Sequence, residues 1–320
     1  MGGRSDEVGL LDKKLAFVFP GQGSQAIGMG KDLYESFDEA KVLFDMADEA
    51  LGFSLSGLCF NGPEDQLTLT INTQPALYVT SCAAYIVAAA SGLKPIVAAG
   101  HSVGEYAALF AAGAYDFVDG LKLVRERAKL MNDAAQANHG TMAAILGLSS
   151  DQVRDVVAKA SDAGVVVAAN YNSPIQTVIS GETDAVKRAS EIASEMGAKR
   201  VVPLSVSGGF HSPLMQDAAD ALLEALHASR ISNLSIPVVA NYSAQTESEA
   251  EEVKVNLSKQ ITGSVRWVES VNAMLDLGTE VFIELGSGSV LAGLIKRIAK
   301  DVEVYSVGDK ASLEALITNN

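Results

Sequence analysis

The sequence predicts an α/β protein with a largely parallel sheet, interrupted by a small inserted domain. Short apolar runs typical of buried strands alternate with helical patterns in both the first and the last part of the chain, and this alternation is typical of a parallel sheet covered by helices. From about residue 140 the pattern becomes strand, helix, strand, strand, helix, strand, which is the order of a ferredoxin-like unit. A chain of 320 residues is long enough for this combination.

The first part of the chain begins the parallel sheet. Residues 1–13 are polar and lack the apolar core of a signal peptide, so we expect a disordered leader. The apolar run 15–19 predicts a buried strand that ends at Pro20-Gly21, and a second strand is predicted over 96–99. Helices are predicted over about 31–51, 74–91, 105–112 and 117–137.

The inserted domain and the return to the large sheet follow from the same patterns. Strands are predicted over 141–147, 165–170, 176–180 and 200–204, with helices over 150–160 and 183–196. A helix at 219–229 and strands at 236–241 and 281–285 resume the first pattern. We therefore expect one domain from residues 14–138 and 206–320, and a small domain from residues 139–205.

Composition excludes several classes of function. The formal net charge of −15 argues against nucleic-acid binding, which needs a basic surface. Two cysteines, Cys59 and Cys82, give no disulfide framework and no metal-binding cluster. No apolar stretch approaches the ~20 residues that span a bilayer. We expect a cytoplasmic monomer without cofactor, metal or membrane contact.

The segment Gly100-His101-Ser102-Val103-Gly104 is a G-x-S-x-G pattern between the predicted strand and helix. The five letters alone occur by chance in glycine-rich chains, so the strand before and the helix after them carry the prediction. In a nucleophile elbow the serine sits in a strained turn at a helix N-terminus, where developing negative charge is favoured. This setting favours Ser102 as a nucleophile.

A serine nucleophile needs a base, and the chain has four histidines. His101 adjoins the serine and should point away from it, His139 is in a polar loop, and a helical pattern explains His227. His211 follows a strand and two glycines and precedes a helix, the setting of a loop at a sheet end. His211 is therefore the favoured base, although a loop histidine bonded to the backbone is the alternative explanation.

Stabilising an oxyanion takes two backbone N–H donors. One should be the N–H of Val103, the residue after the nucleophile, and the other should come from a loop at a neighbouring strand end. The segment Gly21-Gln22-Gly23 is such a loop. Its glycine spacing fits neither nucleotide-binding pattern, which argues against a phosphate site.

Several segments together resemble the malonyl-CoA:acyl carrier protein transacylase family. They are 17–25 (FVFPGQGSQ), 100–106 (GHSVGEY), 170–174 (NYNSP), 210–215 (FHSPLM) and 284–291 (ELGSGSVL). The resemblance runs from about residue 15 to 300 in family order. Ser287 and Ser289 stand where the family usually has proline and lysine, and Gly209 stands where alanine is commoner.

The resemblance implies an α/β-hydrolase-like large domain that carries a ferredoxin-like small one. It implies that Ser102 is the nucleophile, that His211 is the base, and that Gln22 and Val103 supply the oxyanion amides. It further implies that Arg127 binds the substrate carboxylate and that the Gln260 backbone carbonyl orients the base. Helical periodicity alone does not distinguish Arg127 from Arg125, since both flank the apolar stripe of the helix.

The resemblance also implies the reaction, a transfer of malonyl from malonyl-CoA to an acyl carrier protein, with release of coenzyme A. Such carriers are acidic, so docking on this acidic chain requires a local basic patch. The densest basic residues are Lys187, Arg188, Lys199, Arg200, Lys296 and Arg297, and ordinary solvated charge is the alternative explanation for them. A serine carboxylester or thioester hydrolase and a non-catalytic docking module are the other functions to be distinguished.

Overall fold

The computed structural model describes residues 9–318, in which ten strands form two sheets. The strands are β1 (Leu15–Phe19), β2 (Pro95–Gly100), β3 (Gly140–Leu146), β4 (Val166–Ser173), β5 (Gln176–Glu182), β6 (Arg200–Pro203), β7 (Val238–Val239), β8 (Thr246–Glu247), β9 (Val281–Leu285) and β10 (Glu303–Val307).

Fourteen α-helices connect and cover these strands within the same range. They are α1 (Lys31–Ser36), α2 (Asp38–Leu51), α3 (Leu55–Asn61), α4 (Glu64–Leu67), α5 (Thr70–Ala90), α6 (Gly104–Ala111), α7 (Phe117–Ala137), α8 (Ser150–Ala160), α9 (Thr183–Glu195), α10 (Gln216–Ala228), α11 (Ala250–Thr262), α12 (Trp267–Asp276), α13 (Val290–Ile298) and α14 (Lys310–Thr318).

The large sheet has six strands in the order β10-β9-β1-β2-β7-β8. Strands β10, β9, β1, β2 and β7 pair in parallel, and only β8 is antiparallel to its neighbour. Successive side chains of β1 point to opposite faces. Phe17 and Phe19 belong to the main core, and Ala16 and Val18 to a second core with Trp267. The sheet is thus buried on both faces, as parallel sheets are, and the predicted α/β class is confirmed.

The small sheet has the order β4-β5-β3-β6 and is antiparallel throughout. One face packs on α8 and α9 around a separate core that includes Ala143, Ile145 and Ile179. The alternate residues Met142 and Val178 belong to the main core of the large domain. The predicted ferredoxin-like unit is confirmed, and its second face lies against the large domain.

The structure differs from the sequence-based expectations at several elements. The helix expected over 31–51 is broken at Phe37, whose φ of −135° and ψ of 120° are extended. The strand expected over 236–241 contains only Val238–Val239. Within the expected leader, residues 1–8 lie outside the described part, and Leu10–Asp12 form a short 3-10 helix because Leu10 is buried in the main core. No helix among residues 9–318 is long and apolar enough to cross a membrane.

Candidate active site

Ser102 lies in the turn between β2 and α6 and has an unusual backbone conformation. Its φ is 52°, in the left-handed region that non-glycine residues rarely adopt. A Cβ at Gly100 would lie 1.9 Å from the carbonyl carbon of Gly104, and a Cβ at Gly104 would lie 2.2 Å from the carbonyl oxygen of Phe19. Only glycine fits at either position. Strand β2 ends at Gly100 and helix α6 begins at Gly104, so the strand, turn and helix of the predicted elbow are present.

Asn241, just beyond β7, holds the elbow from the neighbouring strand. Its side-chain oxygen accepts the backbone N–H of Ser102 at 2.7 Å, and its side-chain nitrogen donates to the Gly100 carbonyl at 2.6 Å. The asparagine is fully buried. Sequence reasoning missed it, because the two residues are 139 positions apart.

His211 lies beside Ser102. The distance from Ser102 Oγ to His211 Nε2 is 2.8 Å, and His211 Nδ1 lies 2.8 Å from the backbone carbonyl oxygen of Gln260. A carbonyl oxygen only accepts, so Nδ1 carries the hydrogen and Nε2 is free to accept the serine proton. Burial, reinforced by the charge of Arg127, lowers the pKa of His211 to about 3, so the imidazole is neutral near neutral pH.

The two amides expected to stabilise an oxyanion lie at the same cleft as Ser102, since Gln22 and Val103 both line it. A Cβ at Gly21 would lie 2.3 Å from the His101 carbonyl oxygen, so the loop before Gln22 packs directly on the elbow. Within residues 9–318 neither the Gln22 N–H nor the Val103 N–H donates to a protein acceptor. Both donors are available to a bound group.

Arg127 is 1% exposed and reaches Ser102 from α7. Its Nη2 donates to Ser102 Oγ at 3.0 Å and to the Gln260 side-chain oxygen at 2.9 Å, and its Nη1 donates to the Gln74 side-chain oxygen at 2.7 Å. Its guanidinium carbon lies 5.7 Å from the ring centroid of Tyr106. These hydrogen-bond acceptors are all neutral, so no carboxylate hydrogen-bonded to the guanidinium balances its charge.

Arg125, the alternative left open by the helical pattern, points elsewhere. It is half-buried, donates to the backbone carbonyl of Ile71, and lies 5.5 Å over the ring of Phe53. Of the two arginines, only Arg127 lines the cleft.

The small sheet contributes to the lining of the cleft through Met142 on β3, Asn170 on β4 and Leu204 just after β6. The apolar lining residues are Val103, Met131, Met142, Leu204, Val206 and Phe210. His101 Nε2 lies 2.8 Å from the side-chain oxygen of Asn172, which fastens β4 to the elbow. The backbone N–H of Tyr171 also donates to the Val265 carbonyl at 2.9 Å.

The basic residues considered for docking lie outside the cleft lining. Arg200, at the start of β6, and Lys296, on α13, are both exposed. Arg297 donates to the side chain of Gln176 at 2.9 Å, and the ladder from Gln176 through Leu146 leads to Arg200. Arg200 and the basic end of α13, which carries Lys296 and Arg297, therefore lie at the same end of the small sheet.

Sequence reasoning missed a set of polar residues around the site, namely Gln74, Glu105, Asn170, Asn172 and Asn241. The first four are polar residues within apolar segments or within the segments that carry the family resemblance. Nothing in the neighbouring sequence indicates which residues they contact. Asn170 lines the cleft, and Glu105 is fully buried behind it.

Comparison with known proteins agrees with the fold. The family model described as an acyl transferase domain matches residues 16–314. The malonyl CoA-acyl carrier protein transacylase of Bacillus subtilis (strain 168) is 48% identical, over 95% of this chain and 96% of that protein.

Two solved structures are similar to this chain along nearly its whole length. The acyl-carrier-protein S-malonyltransferase of Burkholderia pseudomallei 1710b superposes with a TM-score of 0.93 at 45% identity, covering 95% of this chain and 99% of that one. A malonyl-transacylase solved in complex with its type II PKS acyl-carrier protein has a TM-score of 0.93 at 39% identity, covering 96% and 100%. The chain therefore belongs to the malonyl CoA-acyl carrier protein transacylase family of acyl transferases.

Proposed function

We propose that this enzyme transfers the malonyl group of malonyl-CoA to the phosphopantetheine thiol of an acyl carrier protein, supplying fatty acid chain elongation. The observation that carries the proposal is the position of Ser102 Oγ, 2.8 Å from His211 Nε2 and 3.0 Å from Arg127 Nη2. A nucleophile thus has a base on one side and a carboxylate-binding cation on the other. The names of the relatives point to the same reaction.

In the first half-reaction, Ser102 Oγ attacks the thioester carbon of malonyl-CoA while its proton passes to His211 Nε2. The N–H groups of Gln22 and Val103 stabilise the tetrahedral oxyanion. The C–S bond then breaks, the coenzyme A sulfur takes the proton from the imidazolium, and a malonyl ester of Ser102 remains.

In the second half-reaction, the thiol of the carrier protein gives its proton to His211 and attacks the ester carbon. The same two amides stabilise the second oxyanion, and collapse returns the proton to Ser102 as the malonyl thioester leaves. One base and one oxyanion site serve both halves, so the kinetics are ping-pong. The Gln260 carbonyl holds the imidazole tautomer without adding the full negative charge of an aspartate.

Arg127 explains why the acyl group is a malonyl. A guanidinium pairs through two parallel hydrogen bonds with a carboxylate. A neutral acyl group such as acetyl leaves this buried cation unpaired, which costs on the order of 2–5 kcal/mol. Phe210, in the cleft lining, restricts the space for an α-methyl group.

Transfer is favoured over hydrolysis by the partner of His211. The hydrolase alternative predicts an acidic residue before His211 in the chain as its partner, whereas His211 Nδ1 lies 2.8 Å from the Gln260 backbone carbonyl oxygen. Intact-mass measurement after malonyl-CoA treatment should show one added malonyl group on the wild-type chain and none on Ser102→Ala. A chase with holo carrier protein should move the group to the carrier. Release of free malonate instead would identify a hydrolase, and absence of an adduct would refute the mechanism.

The setting of the enzyme is part of the proposal. We propose a cytoplasmic monomer made of a domain from residues 14–138 and 206–320 and a small domain from 139–205, with the carrier docking at Arg200 and Lys296. Because the net charge of −15 repels an acidic carrier protein at long range, docking requires a local basic patch, and the same charge argues against nucleic acid. Light scattering on purified protein measures the oligomeric state.

A further inference from the structure

Glu105 is a carboxyl group buried behind the active site without an ion-pair partner among residues 9–318. It lies on α6, one turn after Ser102. Its Oε2 accepts the backbone N–H of Asn241 at 2.8 Å and the side-chain N–H of Gln260 at 2.9 Å. A buried carboxyl group costs free energy unless its hydrogen bonds repay it, so its place here calls for an explanation.

The contacts of Gln260 leave its side-chain amide only one orientation. Its Nε2 faces two acceptors, Glu105 Oε2 and the Ser102 carbonyl oxygen at 3.1 Å. Its Oε1 faces Arg127 Nη2, which only donates. The Glu105 carboxyl group therefore fixes the Gln260 amide, and the amide oxygen in turn holds the Arg127 guanidinium.

A second chain of hydrogen bonds runs from Glu105 through Asn241 to Ser102. Glu105 holds the Asn241 backbone, and the Asn241 side chain holds the Ser102 N–H and the Gly100 carbonyl. One carboxyl oxygen thus joins two chains of hydrogen bonds, one ending at Arg127 and one at the elbow.

We propose that Glu105 is a positioning residue, which fixes Arg127 and Ser102 relative to each other by accepting hydrogen bonds from Gln260 and Asn241. It touches neither substrate nor reacting atoms, and the proposal rests on the malonyl transfer proposed above. The required property is an acceptor oxygen at this reach. Glutamine supplies one, whereas methionine of similar length does not.

The test compares single-turnover formation of the malonyl and acetyl adducts of Ser102 in wild type, Glu105→Gln and Glu105→Met. We expect Glu105→Gln to keep the malonyl-to-acetyl rate ratio within about threefold and Glu105→Met to lower it by about tenfold or more, the scale of one lost hydrogen bond to a charged group. An unchanged ratio in Glu105→Met, or equal losses in both variants, overturns the proposal.

Two further variants keep the test decisive. Gln260→Met breaks the relay but leaves the backbone carbonyl for His211, so it should lower the same ratio even if Glu105→Met does not fold; a wild-type ratio in Gln260→Met overturns the proposal. Glu105→Met should have little further effect on the ratio in an Arg127→Ala background, because contacts in one network are not additive. A full further loss there also overturns it. A wild-type chain that forms no malonyl adduct instead refutes the proposed function.

Discussion

The Arg127 guanidinium and the Ser102 hydroxyl are hydrogen-bonded to each other, with Nη2 3.0 Å from Oγ. A carboxylate bound to this guanidinium therefore lies close to the Ser102 hydroxyl, the proposed nucleophile. Malonyl, whose carboxylate is separated from the thioester carbon by a single methylene, fits this short distance. The same contact gives the serine oxygen a cationic donor before substrate binds.

Replacing Arg127 with alanine should change specificity more than it reduces total activity. The variant loses the partner of the malonyl carboxylate, so malonyl transfer should fall between about 30-fold and a few thousand-fold. It also loses the buried cation that penalises neutral groups, so acetyl transfer should hold or rise. Rates of malonyl and acetyl adduct formation measure both effects.

Arg125→Ala is the matched control for Arg127→Ala. Its guanidinium lies on Phe53 and donates to a backbone carbonyl outside the cleft, so its removal should leave the malonyl-to-acetyl ratio unchanged. Thermal unfolding of both variants separates specificity from stability. Equal loss of both activities in Arg127→Ala would assign that arginine a structural role.

Catalysis should persist at a pH where an ordinary histidine is already protonated. Burial lowers the pKa of His211 to about 3 from an ordinary 6.5, so the base stays neutral as the pH falls through 6.5. A profile of kcat/KM for malonyl-CoA against pH should show no acid limb centred near 6.5. Burial raises the pKa of Glu105 to about 7, so the profile is also measured on Glu105→Gln; a midpoint near 6.5 that persists in this variant would contradict the burial argument.

The same pKa shift affects stability with a definite sign. Between pH 3 and 6.5 the unfolded chain binds a proton at residue 211 that the folded chain does not. The free energy of unfolding should therefore fall as the pH is lowered through this window. His211→Ala should show a shallower fall in urea unfolding, and should also slow both half-reactions.

Gly104→Ala should destabilise the protein strongly. The added Cβ would meet the Phe19 carbonyl oxygen at 2.2 Å, and that oxygen belongs to the central strand β1. We expect a loss of about 2–4 kcal/mol in the free energy of unfolding. Gly293→Ala is the control, since its Cβ meets nothing within 4 Å on the exposed side of α13, and it should stabilise by about 0.5–1 kcal/mol. Equal urea midpoints for the two variants would contradict the steric argument.

Charge reversal at Arg200 or Lys296 should weaken only the second half-reaction. Both side chains are exposed and lie outside the cleft lining, so acylation by malonyl-CoA should be unchanged. The KM for carrier protein should rise, and the effect should shrink at high salt. Lys159→Glu, on helix α8, is the control, since Lys159 is exposed and is not one of the residues considered for docking. Equal damage to both half-reactions would show that these residues serve coenzyme A or the fold.

The elements predicted well are those with strong local patterns. All six elements of the inserted unit, and both β1 and the strand before the elbow, follow from apolar alternation or helical periodicity over a few residues. Strand β8 and helices α3 and α4 have two to seven residues, too few to show a period. Their structure comes from tertiary contacts, which no local pattern records.

The site shows the same limit. Ser102 and His211 were predictable as candidates because a turn motif and a loop setting mark them, whereas their catalytic roles stay predictions until tested. Arg127 and Arg125 differ by about 200° around the helix axis, and the sequence does not say which side faces the cleft. The contact of Gln260 with Glu105 joins residues 155 positions apart and leaves no signal near either one.

Both Ser102 and His211 have left-handed backbone, with φ of 52° and 56°. Such conformations cost on the order of 1–3 kcal/mol each in a non-glycine residue. Glycine at either position would relieve this cost and remove the reactive side chain. Selection for stability alone would therefore erase the active site, and the folded chain keeps its reactivity at the expense of thermodynamic stability.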